Sequence, residues 1–234
     1  MATTAAAIRS LWGTIEAHLA QCSPFILESL NPGTTEQQIL QFESLIGVSL
    51  PADFRHSLSI HNGQSPKVKY HDGTRLKTGW ATMFDTEQLL SIEEMVSFWT
   101  TMRDLAKGEL FDVYRGKWHG LVKDSRIRHA GYWNVKWIPI TCSEGDGFCI
   151  DMDPAPQGRQ GQIFYFCRGD HWPRNDGVHP WRVLAPDFTM WLAAFAELMD
   201  NGDYRLEHDG RSIWSEPEGI IYTRLLKRQS AGAS

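Results

Sequence analysis

Four carboxylates that lie close together in the chain are the residues best placed to do chemistry. They are Glu144, Asp146, Asp151 and Asp153, and the Gly-rich turn among them predicts a β-hairpin. Hard cations such as calcium take oxygen ligands of this kind. Because side chains alternate across a strand, Asp151 and Asp153 are expected to face the same way. The spacing does not match an EF-hand loop, so we predict no metal site. Solvated turn residues are the first interpretation, and an acidic surface for a positively charged partner is the second.

No recognisable catalytic device accompanies these carboxylates. None of the nine histidines belongs to a His-Glu-x-x-His pattern, and the chain has neither a Gly-x-Ser-x-Gly elbow nor a Gly-x-x-x-x-Gly-Lys phosphate loop. The four cysteines lack Cys-x-x-Cys spacing, which favours reduced, structural thiols. Cys142 and Cys149 flank the hairpin, so a disulfide there is geometrically conceivable. We predict no catalytic residue and no cofactor.

Ten tryptophans are many for a chain of 234 residues, and tryptophan is enriched at interaction hot spots. Trp99 and Trp191 lie on apolar helical stripes, which predicts core packing. Four others stand among polar and cationic residues in predicted loops, where contact with a partner is nearly as good an interpretation as packing: Trp118, Trp133, Trp172 and Trp181.

The basic and aromatic stretch from Tyr114 to Trp133 has two interpretations. Its cations and rings could contact phosphates and stack bases, as in single-strand binders. It could equally belong to an insertion around residues 107–134 that covers one edge of a sheet. Asp112 and Asp124 interrupt the positive charges, so we favour the covering role.

Two short helices with marked ends precede these regions. Thr34 and Gln37 predict a capping box for the first helix, and Gly47 predicts its left-handed cap. Its buried face is predicted to carry Ile39, Phe42, Leu45 and Ile46. The second helix is defined by six residues: Leu50, Pro51, Phe54, Leu58, Asn62 and Gly63. A DNA-reading helix-turn-helix has a similar order, but the second helix offers only Arg55 and His56 as cations, so we do not predict one.

Strands and helices alternate along the rest of the chain. An amphipathic helix at 5–22 is expected to pack beside the helix that begins at Thr34, and a capping box at Ser91 and Glu94 opens another helix that runs to about Gly108. Short strands are predicted at 68–70, 79–84, 136–141, 147–153 and 162–167. A helix starts at Pro186 and ends at Asn201-Gly202. A strand or short helix is expected at 220–227, followed by a disordered tail at 229–234.

Length and charge fit one domain covering residues 1–234. The chain has 42% hydrophobic residues and a formal net charge of -5, which gives no bias toward nucleic acid or anionic membrane. The N-terminus lacks the pattern of a secretory signal, and no apolar run approaches the ~20 residues of a membrane span. We therefore expect a cytoplasmic protein without a membrane partner.

The order of these patterns resembles the SMI1/KNR4 family, the core of the SUKH superfamily. The resemblance runs from Leu30-Asn31-Pro32-Gly33 through Leu50-Pro51-Ala52-Asp53-Phe54 and His61-Asn62-Gly63. It continues through Trp137–Ile140 and Phe148–Pro154 to Val183–Phe188, so it covers roughly residues 30–200. It implies an α+β fold with a mostly antiparallel sheet packed against helices, and a non-enzymatic role. Bacterial members of the family are widely immunity proteins, and fungal members coordinate cell-wall synthesis with signalling.

On this basis we predict a protein-binding module, with an immunity protein that blocks a cognate toxin as the first hypothesis. The hairpin from Cys142 to Asp153 is the first candidate surface, with Trp80 and Trp172 as possible anchors. A regulatory scaffold for cell-wall synthesis is the alternative. An enzyme with an unrecognised carboxylate or metal site is the alternative from another class, and a nucleic-acid binder comes last.

Overall fold

The computed structural model describes residues 3–65, 67–71, 76–84, 87–107, 124–128, 132–167, 181–202, 204–208, 212–216 and 225. The helices in these ranges are α1 (Thr4–Cys22), α2 (Pro24–Ser29), α3 (Glu36–Ile46), α4 (Ala52–Leu58), α5 (Ile92–Lys107) and α6 (Phe188–Asp200). Among the described residues, no helix combines the length and the apolar character needed to cross a membrane.

Ten strands pair into three sheets within the same ranges. They are β1 (Lys67–His71), β2 (Leu76–Ala81), β3 (Gln88–Leu89), β4 (Trp137–Pro139), β5 (Thr141–Cys142), β6 (Gly147–Asp151), β7 (Gln162–Phe166), β8 (Val183–Ala185), β9 (Arg205–His208) and β10 (Ser212–Glu216). The sheet β4-β6-β7-β8 is antiparallel throughout, and so is the pair β3-β5. The sheet β1-β2-β10-β9 contains one parallel pair, between β2 and β10. The predicted α+β fold with mostly antiparallel pairing is confirmed, whereas β9 and β10 were not predicted.

Helix α6 lies at the centre of the core. Its Trp191 ring lies 5.4 Å from the Phe148 ring of β6 and 4.6 Å from Phe84, measured between centroids. Apolar side chains of α6 itself occupy most of the circumference of the helix, so other elements must cover it on more than one side. Helices α1 and α4 supply that cover. The expectation that α1 packs mainly beside α3 is therefore wrong, because α1 finds its larger apolar partner in α6.

All the tryptophans whose burial the structure describes lie in the core. Trp99 and Trp191 are buried, as predicted. Trp133 and Trp181 are also buried, and both rings contact Phe166 at centroid distances of 5.1 and 4.8 Å. The partner-contact interpretation is wrong for these two residues, since aromatic packing encloses them. Trp118 and Trp172 lie outside the described residues.

Helix α3 begins one residue later than the predicted capping box. Thr35 is the N-cap, and its hydroxyl accepts the backbone N–H of Gln38 while the Gln38 side chain accepts the N–H of Thr35. The backbone N–H of Thr34 is engaged elsewhere, in a 2.9 Å bond to the Leu58 carbonyl. The left-handed cap at Gly47 (φ 68°) and the capping box of Ser91 and Glu94 at α5 agree with the sequence prediction.

Two residues of the predicted insertion, Asp124 and Arg126, lie beside β8. The Val183 N–H donates to the Asp124 carboxylate at 3.0 Å, and Arg126 donates to the Val183 carbonyl at 3.2 Å. This arrangement supports the covering role that the sequence favoured. All four cysteines are free thiols, so the conceivable disulfide is not formed. The predicted tail at 229–234 lies outside the described residues, and the single domain over 1–234 stays a prediction.

Candidate protein-interaction surfaces

The acidic hairpin is divided between the two ends of β6. Glu144 and Asp146 lie in the turn before the strand, whereas Asp151 ends it and Asp153 follows. Five residues of extended chain separate the two pairs by on the order of 16 Å. The structure therefore does not bring the four carboxylates together. In the described ranges, no group of three or more histidine, cysteine and acidic side chains is arranged to hold a metal ion.

The turn end of the hairpin is the more accessible end. Ser143 and Asp146 exchange two backbone hydrogen bonds of 2.8 Å, which close the turn. Glu144 is exposed and has a positive φ of 51°, a conformation that costs energy for a residue with a Cβ atom. The half-buried Asp146 carboxylate accepts the Cys167 thiol at 3.3 Å. Contact of Glu144 and Asp146 with a partner stays a prediction.

Asp151 lies inside the protein. Its residue exposure is 0%, and its carboxylate accepts the Gln162 side-chain N–H at 2.9 Å and the Asp153 backbone N–H at 3.0 Å. Burial raises the pKa of this carboxyl, and the two hydrogen bonds only partly oppose the rise. A carboxylate with this position cannot touch a partner at the surface. The predicted contact role is therefore wrong for Asp151, because its side of β6 is covered.

Asp153 is half-buried and lies beside a cation. Its carboxylate is 3.3 Å from the Arg128 guanidinium and accepts the Asn134 side-chain amide at 3.1 Å. Arg126 is likewise held by Asp124 through two bonds of 2.8 and 2.6 Å. The two described arginines of the basic stretch are therefore paired with carboxylates, which weakens the nucleic-acid alternative. Contact of Asp153 with a partner stays a prediction.

The two proposed tryptophan anchors remain untested. Trp80 lies in β2, where its backbone is opposite Lys67 on one side and Ser212 on the other. Trp172 lies outside the described residues. Their role as partner anchors stays a prediction.

The motif of the second helix forms a buried support for α6. Leu50, Phe54 and Leu58 are buried, and the Phe54 ring lies 5.0 Å from Phe188 of α6. Pro51 occupies the N-cap position rather than the first helical position. Arg55 pairs with Glu36 and Glu43 of α3. Because both carboxylates hold this guanidinium, the cation expected of a DNA-reading helix is already occupied.

Two loops join the helices of this half of the molecule. We call Asn31–Gly33 and His61–Gly63 together the loop junction. The Asn31 backbone N–H donates to the Gly63 carbonyl at 3.0 Å, and the Asn31 side chain donates to the Asn62 carbonyl at 2.9 Å. The Asn62 side chain accepts the N–H of Ile92 at 2.9 Å, at the start of α5. The loop junction therefore connects the segments that precede α3, follow α4 and begin α5.

An uncharged outer face of α3 is the surface feature that the sequence analysis missed. We call Gln37, Leu40, Gln41, Ser44 and Leu45 the α3 outer face, and all five residues are exposed. Leu40 and Leu45 keep 53% and 55% of their surface in solvent. The prediction that Leu45 is buried is wrong, because Ile46 takes the inward position beside Ile39 and Phe42. Leu45 follows Gln41 by four residues and therefore lies on the same face of the helix. Because Gln41 is polar, this spacing predicts that Leu45 is exposed.

The described residues thus define an α+β fold in which no group of histidine, cysteine and acidic side chains is arranged to hold a metal ion. A profile of the SMI1 / KNR4 family (SUKH-1) matches residues 33–194, and the chain belongs to this family. The predicted resemblance is confirmed.

Several curated proteins are similar to the chain over most of its length. A glucan synthesis regulatory protein of Neurospora crassa is 24% identical over 88% of the chain, and the cell wall biosynthesis/cell cycle regulator smi1 of Schizosaccharomyces pombe is 28% identical over 86%. Human F-box only protein 3 is 23% identical over 87%. The matches cover 41%, 38% and 37% of these relatives, so the chain spans about two fifths of their length. None of these names describes an enzyme.

Proposed function

We propose that this chain is a regulatory, protein-binding domain of the kind that acts in cell-wall synthesis. Its family membership and the names of its fungal relatives support the proposal. Human F-box only protein 3 is not named as a cell-wall regulator, so similarity to this chain is not limited to proteins with that role in their names. A cognate toxin, our first hypothesis from the sequence, receives no support from these relatives. The scaffold alternative is therefore the better proposal.

The α3 outer face carries the proposal structurally. Other large apolar side chains of the described residues are mostly buried, and Leu40 and Leu45 are the two most exposed of them. Glutamine and serine between the two leucines add hydrogen-bonding groups without charge. Water-exposed leucines beside uncharged polar groups form an apolar patch with a polar rim, which is the character of a protein-interaction site.

The enzyme alternative has the weaker support. Asp151 of the acidic hairpin has a carboxylate that is buried and bonded to Gln162 and to the Asp153 backbone. A general acid or base must reach a substrate group, which this position does not allow without opening the sheet. The raised pKa of Asp151 has burial as its main cause and does not by itself indicate catalysis.

Affinity capture from the source cells tests the proposal. The tagged protein, a Leu40→Glu/Leu45→Glu variant and a Val135→Glu control would be compared by quantitative mass spectrometry. Val135 is an exposed apolar residue on a different segment, so it controls for a general effect of added charge. We expect wall-synthesis or signalling proteins with the wild type and the control, and at least a tenfold loss with the α3 variant, about 1.4 kcal/mol.

Circular dichroism and thermal unfolding would show that all three proteins fold equally well. Capture that is unchanged by the α3 variant would contradict the proposed surface. A one-to-one partner that kills cells when it is expressed without this protein would contradict the regulatory proposal and restore the immunity hypothesis.

A further inference from the structure

Strand β8 is the last strand of the sheet β4-β6-β7-β8 in the part of the chain that the structure describes. The Arg182 carbonyl, just before β8, accepts the Tyr165 N–H of β7. In a trans peptide the C=O and the N–H point in opposite directions, so the N–H of Val183 points away from β7. That N–H donates to the Asp124 carboxylate at 3.0 Å, and the Val183 carbonyl accepts the Arg126 guanidinium at 3.2 Å. Two side chains thus bond the groups that an adjacent strand would use.

Asp124 and Arg126 hold each other in the position that these bonds require. The Arg126 Nε atom donates to one carboxylate oxygen at 2.8 Å, and its Nη2 atom donates to the other oxygen at 2.6 Å. The Arg126 backbone N–H also donates to the Asp124 carboxylate at 3.1 Å. A bidentate pair of this kind fixes the direction of both side chains. Together they present one acceptor and one donor to β8, which is what the backbone of a strand presents at one residue.

The segment that carries the pair is attached to the body of the sheet. The Arg126 carbonyl accepts the Gln162 side-chain N–H of β7 at 2.9 Å and the Ala155 backbone N–H at 3.0 Å. The Ile127 side chain is buried, and the Ile127 backbone N–H donates to the Asp124 carbonyl at 3.1 Å and closes a turn. These contacts hold the segment beside β8 independently of the bonds that it makes to the strand itself.

Without this segment, β8 would be able to pair with a second copy of itself. Val183, Leu184 and Ala185 carry no charge, so no repulsion between like charges would oppose the pairing. A residue whose N–H and C=O both point outward can exchange two hydrogen bonds with the same residue of an antiparallel copy. A two-fold axis makes such an interface self-complementary. Natural edge strands carry features that prevent this pairing, and charged side chains are among them.

We propose that the Asp124–Arg126 pair is an edge guard, which occupies the hydrogen-bonding positions of a neighbouring strand on β8 and prevents a second copy of the chain from adding there. The guard acts through its contacts with Val183. Arg128 of the same segment bonds instead to Asp153 and to the Pro154 carbonyl, so its charge serves a different part of the molecule.

Sedimentation velocity over a range of protein concentrations tests the guard. Asp124→Ala removes the acceptor of the Val183 N–H and the partner that positions Arg126. We expect this variant to self-associate at least about tenfold more tightly than the wild type. Arg128→Ala is the matched control for the loss of a charge from the same segment, and it should associate no more tightly than the wild type.

A proline at position 183 separates edge pairing from general aggregation. Proline has no N–H, and the N–H of Val183 points away from β7, so the change leaves the pairing with β7 in place. The double variant Asp124→Ala/Val183→Pro should therefore return to the self-association of the wild type. Equal self-association of Asp124→Ala and the wild type would overturn the proposal. Tight association that persists in the double variant would overturn it as well.

Hydrogen exchange of the wild type provides a test that needs no variant. The guard requires the Val183 amide to exchange slowly, although β8 is the last strand of the described sheet. In dilute Asp124→Ala protein, the same amide should exchange about tenfold faster or more, because its acceptor is gone. A wild-type Val183 amide that exchanges as fast as that of an unstructured peptide would overturn the proposal, whether or not the variants fold.

Discussion

The loop junction and the acidic hairpin are both rich in polar residues. They differ in where the hydrogen-bonding partners of those residues lie. In the loop junction, asparagine side chains and backbone groups bond to one another across two neighbouring turns. In the hairpin, the carboxylates separate to opposite ends of β6 and bind different neighbours, such as Gln162 and Arg128. The loop junction therefore joins segments that lie 31 residues apart in the chain, whereas the hairpin separates carboxylates that are close in sequence.

The difference has a physical cause. Asn and Gly mark each of the two turns of the loop junction, and the Asn31 side chain and backbone then bond from one turn to the other. A strand is extended, so residues at its two ends are far apart in space even though they are close in sequence. Whether Asp151 is buried depends on β4, β7 and residue 126, none of which the hairpin sequence contains.

The largest expected effect comes from Gly63→Ala in the loop junction. Gly63 has a φ of +73°, and a Cβ atom would stand 2.2 Å from the Ser91 backbone nitrogen. Left-handed strain and backbone crowding together should lower the free energy of unfolding by about 3 kcal/mol or more. Urea unfolding measures the change.

Gly13→Ala is the matched control for this substitution. Gly13 lies in α1, and no neighbouring segment among the described residues comes within 4 Å of the place that an added Cβ atom would take. The same chemical change should here stabilise the protein by about 0.5–1 kcal/mol, because alanine is the better helix former. Equal effects at the two glycines would show that the loop junction is not tightly packed.

The second largest effect is expected for Asp151→Ala in the hairpin. The change leaves the Gln162 side chain and the Asp153 N–H without their buried acceptor, which should cost about 2 kcal/mol. Asp151→Asn retains the volume and one acceptor oxygen, so a smaller loss is expected. Thermal unfolding of both variants measures the costs. A negligible loss in Asp151→Ala would mean that water replaces the carboxylate and that the site is less enclosed than the structure indicates.

Helix ends and strand order were the predictable parts of this molecule. Gly47, Ser91 and Glu94 mark their helix termini by local hydrogen bonding, and the antiparallel order of β4, β6 and β7 follows from their short connections. The family resemblance, which the profile match confirms, added the expectation of an α+β fold. Local patterns are sufficient where the partner of a group lies within the same segment.

The interaction surfaces were less predictable, because exposure is a property of the whole fold. Leu45 fits an apolar stripe but lies outside, and Trp181 stands among polar residues but lies inside. The error at Leu45 arises because the predicted apolar face of α3 was one residue too wide. The error at Trp181 arises because this part of the chain packs onto an aromatic cluster. The α3 outer face could have been predicted only by identifying which apolar residues of the helix lie beyond its buried face.

Asp151 and Asp124 should respond to pH in opposite directions, because their pKa values are shifted in opposite directions. Burial raises the pKa of Asp151, so its contribution favours folding below about pH 4 and is lost as the pH rises through the folded-state value. For Asp124, burial alone would raise the pKa, but hydrogen bonds from Arg126 and from the Arg126 and Val183 backbones lower it. Its contribution is present above about pH 4 and is lost as the pH falls.

Asn substitutions separate the two cases. Relative to the wild type, Asp151→Asn should gain stability as the pH rises above about 4, whereas the stability deficit of Asp124→Asn should shrink as the pH falls below about 4. Urea midpoints at several pH values provide the comparison. Parallel trends in the two variants would mean that one of these carboxyls lies in a different environment from the one described.

The smallest effect on stability is expected for Glu144→Gln at the exposed turn. The side chain is exposed, so the free energy of unfolding should change by no more than about 0.5 kcal/mol. If the turn forms an acidic surface for a basic partner, the association rate should nevertheless fall, and its dependence on salt should weaken. Stopped-flow binding with the captured partner measures both. An unchanged rate, together with a loss of binding in the α3 variant, would assign recognition to the α3 outer face and leave Glu144 as a solvated turn residue. In that case Asp151 would contribute only to folding, and Glu144 would contribute to neither folding nor binding.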